Sequence, residues 1–117
     1  VVGGKYFVQP EGNTPASNYK HDQDLFVRPT GNHPITNSIG PIHIRDETYK
    51  GMWINPNNKM LLKTDHPTSD GPLMWISPYE KSRVIYLELG HDSYAHRHPS
   101  YRALVWNSIL WSAGRLR

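Results

Sequence analysis

Short apolar runs, each ended by turn-forming residues, are the feature that most constrains how this chain can fold. The 117 residues include 10 Pro and 9 Gly, and no apolar run approaches the ~18 residues that a membrane-spanning helix requires. Runs of about four to eight residues between turn signals are typical of β-strands. The sequence therefore predicts a soluble segment built on short strands, and it leaves a cytoplasmic or an exported location open.

Length and composition favour one small domain, because a domain usually has roughly 100 to 200 residues. The 7 Tyr, 4 Trp and 2 Phe indicate a core rich in aromatic rings. The net charge is +3 and no two of the 13 Lys and Arg residues are adjacent, which argues against a nucleic-acid partner. The lack of Cys excludes disulfides, Cys-type zinc sites and a Cys nucleophile within these residues.

Apolar patterning predicts six short strands, at residues 25–28, 42–45, 52–54, 60–62, 72–76 and 83–89. The third and fourth runs are interpreted as a hairpin, and the last two as another antiparallel pair. Residues 84–87 form the most continuously apolar run, which is typical of a strand covered on both faces, so they are predicted to be the central strand. Residues 9–24 show no regular period and are predicted to be a long loop.

One helix is predicted, with Pro99 as its first residue and Gly114 as a C-terminal cap. Residues 96–98, which precede it, are expected to have a capping or surface role. Trp106, Ile109 and Leu110 widen its apolar face, so the helix is expected to pack on a sheet and on a second element besides.

Histidines beside carboxylates are the candidate residues for acid–base chemistry or metal binding, because a carboxylate orients an imidazole and raises its basicity. His91 and Asp92 follow the most apolar strand, while Asp46 and Glu47 end an earlier one. Open parallel sheets bind ligands outside the carboxyl ends of their strands, so these two groups are expected to meet in one pocket, with Tyr49 as a donor. The alternative, that any one such pair only stabilises a loop, stays open.

Several familiar motifs are missing from the sequence. Residues 2–5 lack the spacing and the following helix of a phosphate-binding loop. There is no His-Glu-x-x-His pair and no Gly-x-Ser-x-Gly elbow. Nucleotide-binding, zinc-protease and serine-hydrolase functions therefore have no support from motifs.

A set of short stretches, in this order and spacing, resembles the ThuA-like (trehalose-utilisation) family over nearly the whole chain. Besides the closing helix to Trp111, the matching stretches are Gly3-Gly4-Lys5-Tyr6, Tyr19-Lys20-His21-Asp22, His33-Pro34-Ile35-Thr36, Asp46-Glu47-Thr48-Tyr49, Thr64-Asp65-His66-Pro67-Thr68-Ser69, Arg83-Val84-Ile85-Tyr86 and Leu89-Gly90-His91-Asp92.

The resemblance implies an α/β doubly wound, flavodoxin-like fold, similar to that of the class I glutamine amidotransferases. Family members are longer, so residues 1–117 are expected to be the C-terminal part of a ThuA-like domain. His91 and Asp92 would then lie where amidotransferases carry their catalytic His and its acidic partner. The amidotransferase Cys nucleophile would lie before Val1, and ThuA-like proteins generally lack it, so glutaminase activity is not implied.

The family likeness also implies a role in carbohydrate metabolism, with trehalose or a related sugar. We expect a pocket that binds or transforms a sugar or an oxidised sugar. In it His91 would be the general base or a metal ligand, with Asp92, Asp46 and Glu47 as acidic partners. A bound metal would be zinc or another first-row divalent ion, held by His91 and Asp46, because imidazole and carboxylate without thiolate suit such ions.

The expected sugar contacts come from two further groups of residues. His21 and Asp22 would contribute a lid, and Tyr49 or Trp53 an aromatic platform. Two alternatives stay open: a non-catalytic module that binds a glycan or a partner, and an amidotransferase-like hydrolase with its nucleophile upstream. No membrane partner is expected for this segment, and a homo-oligomer stays open.

Overall fold

Apolar and polar residues alternate from Ile42 to Arg45, and this pattern forms a strand with one buried face in the computed structural model, which describes residues 1–116. Ile42 and Ile44 are buried, whereas His43 and Arg45 are exposed. The buried face adds to one apolar core, in which Leu25, Leu61 and Leu104 are also enclosed.

The described residues form seven strands and two helices: β1 (Gly4–Lys5), β2 (Asn18–Pro29), β3 (Ile42–Lys50), β4 (Trp53–Ile54), β5 (Lys59–Thr64), β6 (Pro72–Ile76), β7 (Ile85–Leu87), α1 (Ser93–Arg97) and α2 (Pro99–Ser112). Strands β1 and β4 form a small two-stranded sheet. The other five strands form one sheet in the order β3-β2-β5-β6-β7.

The predicted mixed α/β class is confirmed, but the sheet differs from the predicted parallel arrangement. Every pair of neighbouring strands in residues 1–116 is antiparallel. The connections at residues 65–71 and 77–84 are too short for a parallel crossover, which needs about a dozen residues or more. The doubly wound arrangement is therefore not seen in the described residues.

Strand pairing confirms one sequence prediction and corrects two others. The predicted antiparallel pair at 72–76 and 83–89 is confirmed, because β6 pairs with β7. The predicted hairpin is wrong: β4 pairs with β1, whereas β5 pairs with β2 and β6. The predicted loop at 9–24 is partly strand, since β2 begins at Asn18. Residues 18–22 are exposed, so this half of β2 carries no apolar alternation.

The strand that is covered on both faces is β6, so the prediction that 84–87 is central is wrong. Leu73, Met74 and Trp75 are all fully buried, and β7 lies at the end of the sheet order. Trp75 stacks on Tyr86, with ring centroids 4.2 Å apart, and its Nε1–H donates to the carbonyl oxygen of Val2 at 2.9 Å. The N-terminal segment thus covers the second face of β6.

The predicted helix is confirmed as α2, which starts at Pro99 and is capped by the side chain of His98. His98 Nδ1 accepts the backbone N–H of Ser100 at 3.1 Å, as the predicted capping role requires. Gly114 follows the C-terminal cap with a φ of 72°. The short helix α1 was not predicted. Neither helix of the described residues is long and apolar enough to cross a membrane.

Candidate functional site

A β-bulge where β2 pairs with β3 places His21 beside Glu47. Lys20 pairs with Thr48 and Gln23 pairs with Asp46, so two residues of β2 lie opposite Glu47. A bulge of this kind bends its strand and redirects a side chain. The extra residue, Asp22, has a φ of 54°.

Asp46 fixes the loop that carries His91 to the end of β3. Its side chain is almost fully buried. Three backbone N–H groups donate to its carboxylate: those of Gly90 at 2.7 Å, His91 at 3.1 Å and Glu47 at 2.8 Å. These amide donors satisfy the oxygen atoms of a carboxylate that is shielded from water. The chain after β7 is thereby held against β3, at the other edge of the sheet.

The histidine–glutamate cluster, defined as His21, Glu47 and His91, results from these two arrangements. Glu47 Oε2 lies 2.9 Å from His21 Nδ1 and 2.7 Å from His91 Nδ1. The Glu47 side chain is 6 % exposed, against 55 % for His21 and 39 % for His91. A buried carboxylate therefore lies behind two imidazole rings that face solvent.

Neither ring N–H is aimed along a hydrogen bond to this carboxylate oxygen. Among the described residues, Glu47 Oε2 has no hydrogen-bond partner, although both Nδ1 atoms are within 3 Å. The three candidate ligand atoms lie within 4.8 Å of one another. These are the residues of the cluster that could hold a metal ion.

Two further acidic groups lie near the cluster. Burial is the main cause that raises the pKa of Tyr49, and the charges of Glu47, Asp46 and Glu88 add to it, so the phenol stays protonated. Burial also raises the pKa of Glu88 from 4.5 to about 8, and Tyr86 donates to its Oε1 at 3.3 Å.

Glu88 was missed at the level of sequence. The available signal was a lone carboxylate between two leucines, directly after an apolar strand.

The structure brings some of the predicted site residues together and separates others. His91, Glu47 and His21 form the cluster. Asp46, predicted as a possible metal ligand with His91, accepts three backbone N–H groups with its carboxylate. The ligand atoms of Glu47 and His21 lie within 4.8 Å of that of His91.

The remaining predicted residues have other contacts. Asp92 is the N-cap of α1, and its carboxylate accepts the amides of the next turn. Asp22 pairs with Arg45 at 3.3 Å. Trp53 belongs to the small β1–β4 sheet and is half-exposed. None of these three side chains is part of the cluster.

Comparisons with known proteins give one matching family and one similar fold. The family model described as trehalose utilisation, ThuA, matches residues 1–112. A crystal structure of a ThuA-like protein from Parabacteroides merdae superimposes with a TM-score of 0.75 at 18 % identity. The match covers 87 % of this chain and 43 % of that one. No curated protein matches the sequence.

Proposed function

This chain belongs to the ThuA, or trehalose-utilisation, family, and on that premise we propose that its histidine–glutamate cluster binds and transforms a sugar or an oxidised sugar. The observation that carries the proposal is the position of Glu47: a buried carboxylate within 3 Å of two half-exposed imidazoles. Groups of this kind, side by side at the surface, are suited to moving protons or activating an oxygen atom.

The cluster offers a sugar chemically different groups at short range. His91 acts as general base or as a metal ligand, and Glu47, 2.7 Å from its Nδ1, positions the ring. Tyr49, kept protonated by burial, donates a hydrogen bond to a hydroxyl or carbonyl oxygen of the sugar. Asp46 acts as a positioning residue, because it contacts the loop of His91 rather than solvent.

The chain spans 43 % of the ThuA-like protein that it resembles, so the activity of a whole family member is part of this proposal. We place the doubly wound, amidotransferase-like sheet in the remainder of such a longer protein. In that arrangement the antiparallel sheet carries the cluster, and the parallel sheet completes the sugar pocket around it.

The test compares His91→Ala with His43→Ala, using trehalose, glucose and an oxidised glucose derivative as candidate ligands. His43 is a matched control, because it also pairs with a carboxylate, at 2.7 Å from Asp24, and lies on β3 outside the cluster. Turnover is measured by NMR of the sugar. We expect His91→Ala to abolish it, while an unchanged circular dichroism spectrum shows that the variant folds. His43→Ala should retain turnover.

Two outcomes would contradict the proposal. Sugar binding that His91→Ala weakens, without turnover by the unaltered chain, would indicate a non-catalytic binding module. Equal activity of the two variants would remove the cluster from the reaction.

A further inference from the structure

We propose that His21, Glu47 and His91 bind one divalent first-row metal ion of the zinc class, through Nδ1 of each histidine and Oε2 of the glutamate. The three atoms lie within 4.8 Å of one another. Two ligand atoms bound at about 2.1 Å in a tetrahedral site lie about 3.4 Å apart. The observed N···O distances of 2.9 and 2.7 Å therefore need to lengthen by about 0.5 to 0.7 Å when the ion binds.

The unsatisfied oxygen of Glu47 distinguishes a metal site from a hydrogen-bonded one. A buried carboxylate oxygen without a donor is costly and rare in folded proteins. Here Oε2 has no hydrogen-bond partner in the described residues, yet it faces two ring nitrogens. Two imidazole nitrogens and a carboxylate oxygen this close together, with the oxygen left without a hydrogen bond, are donor atoms that a first-row cation accepts.

The backbone holds the three ligands before any metal arrives. The bulge between Lys20 and Gln23 fixes where His21 lies. The Asp46 carboxylate accepts hydrogen bonds from the backbone N–H groups of Gly90 and His91, which fixes the position of His91. A site assembled in this way loses less conformational freedom when it binds an ion.

The number of protein ligands indicates what kind of metal site this is. Structural zinc sites have four protein ligands, whereas catalytic ones have three and keep a position for water or substrate. The cluster supplies three, and both histidines are partly exposed. The open position suits a sugar hydroxyl or carbonyl oxygen, and this last step alone rests on the proposed function.

A second histidine–carboxylate pair on the same two strands provides an internal comparison. His43 Nε2 lies 2.7 Å from Asp24 Oδ1, but both side chains are mostly exposed. The described residues offer no third ligand to this pair. It therefore supplies a matched control for metal binding as well.

The experiment titrates Zn²⁺ alone into the chelator-treated 117-residue chain by calorimetry, without any sugar. We expect one Zn²⁺ per chain for the unaltered protein and for His43→Ala. His21→Ala and Glu47→Gln should each weaken binding at least about tenfold. His21→Ala tests a half-exposed side chain, so it should fold, which circular dichroism checks. Zn²⁺ should raise the Tm of the unaltered chain and not that of His21→Ala.

The proposal is overturned if the unaltered chain binds no Zn²⁺, if Glu47→Gln binds it as well as the unaltered chain, or if His43→Ala loses as much affinity as His21→Ala. Zinc binding without sugar turnover would contradict the proposed function and leave the metal site standing. Turnover that depends on His91 in a chain that binds no Zn²⁺ would contradict the metal site and leave the proposed function standing.

Discussion

Asp46 and Glu47 are neighbours in sequence, but their carboxylates have different partners, which only the three-dimensional structure reveals. Both carboxylates are buried. Asp46 is surrounded by backbone N–H groups, whereas Glu47 Oε2 faces two imidazoles. The sequence places the pair beside His91 but cannot say which carboxylate meets which donors, because adjacent residues of a strand point to opposite faces.

At this scale we expect Asp46→Asn to lower the free energy of unfolding by about 2 to 4 kcal/mol. The amide side chain keeps one acceptor and turns an N–H₂ group towards buried backbone N–H donors, which leaves them unpaired. Urea denaturation measures the effect, and Asp24→Asn, on an exposed carboxylate, serves as the control with a change within about 0.5 kcal/mol. Equal losses in the two variants would refute the role given to Asp46.

The buried acid Glu88 should make stability depend on pH. Burial raises its pKa in the folded chain from the usual 4.5 to about 8, so the folded state keeps a proton that the unfolded state has lost. The stability that this proton adds to the folded state is fully present below pH 4.5 and is lost as the pH rises through 8.

We therefore expect Glu88→Gln to gain stability relative to the unaltered chain between pH 5 and pH 8, by at most about 1.4 kcal/mol per pH unit. Chemical denaturation at several pH values measures this difference. Glu80→Gln, an exposed matched change, should leave the pH dependence as it is. A difference between the Glu88 variant and the unaltered chain that stays constant with pH would contradict the assignment.

At the scale of elements, sequence patterns predict correctly those boundaries that depend on residues close together in the chain. The bounds of β6 and the start of α2 are predicted correctly, because an apolar run between turns and a proline at the first helical position act locally. The first half of β2 is not predicted, because an exposed strand shows no apolar alternation. The partner of β4 is not predicted either, because β1 lies far from it in sequence. The bulge at His21 belongs to this second class.

Gly90 lies in the loop between β7 and His91, and its replacement tests how closely this loop is packed. Gly90 has a φ of 111°, and a Cβ there would lie 2.5 Å from the Tyr101 hydroxyl oxygen. We expect Gly90→Ala to cost more than 1 kcal/mol and to weaken Zn²⁺ binding, measured by denaturation and calorimetry.

Gly31→Ala is the control for this change. Gly31 also has a positive φ, of 66°, but nothing lies within 4 Å of its Cβ position. Its cost in stability should be smaller, and Zn²⁺ binding should not change. If both variants bound Zn²⁺ equally well, the packing of this loop would not position His91.

At the scale of the whole molecule, the sheet brings together residues that sequence order separates. The cluster joins positions 21, 47 and 91, although β3 and β7 are at opposite ends of the sheet order. The expectation that His91 and the acidic pair would meet came from the geometry of parallel sheets, whereas the described sheet is antiparallel. The contact instead depends on the loop held by Asp46, which strand patterns cannot reveal.

Helix α2 shows how unevenly the molecule distributes its stability. Leu104 is fully buried in the core, whereas Ile109 on the same helix is 56 % exposed. We expect Leu104→Ala to cost about 2 to 5 kcal/mol and Ile109→Ala less than about 1 kcal/mol, in thermal or urea unfolding. Similar costs would place the apolar face of α2 differently from the structure.

The amide contacts of Asp46 have a consequence for the diversification of this architecture. They engage the main chain at position 91, which every residue except proline provides in the same form. This hydrogen bond to Asp46 therefore does not depend on which side chain residue 91 carries. A different reactive side chain at position 91 would keep this backbone contact, so the same loop can carry other chemistry.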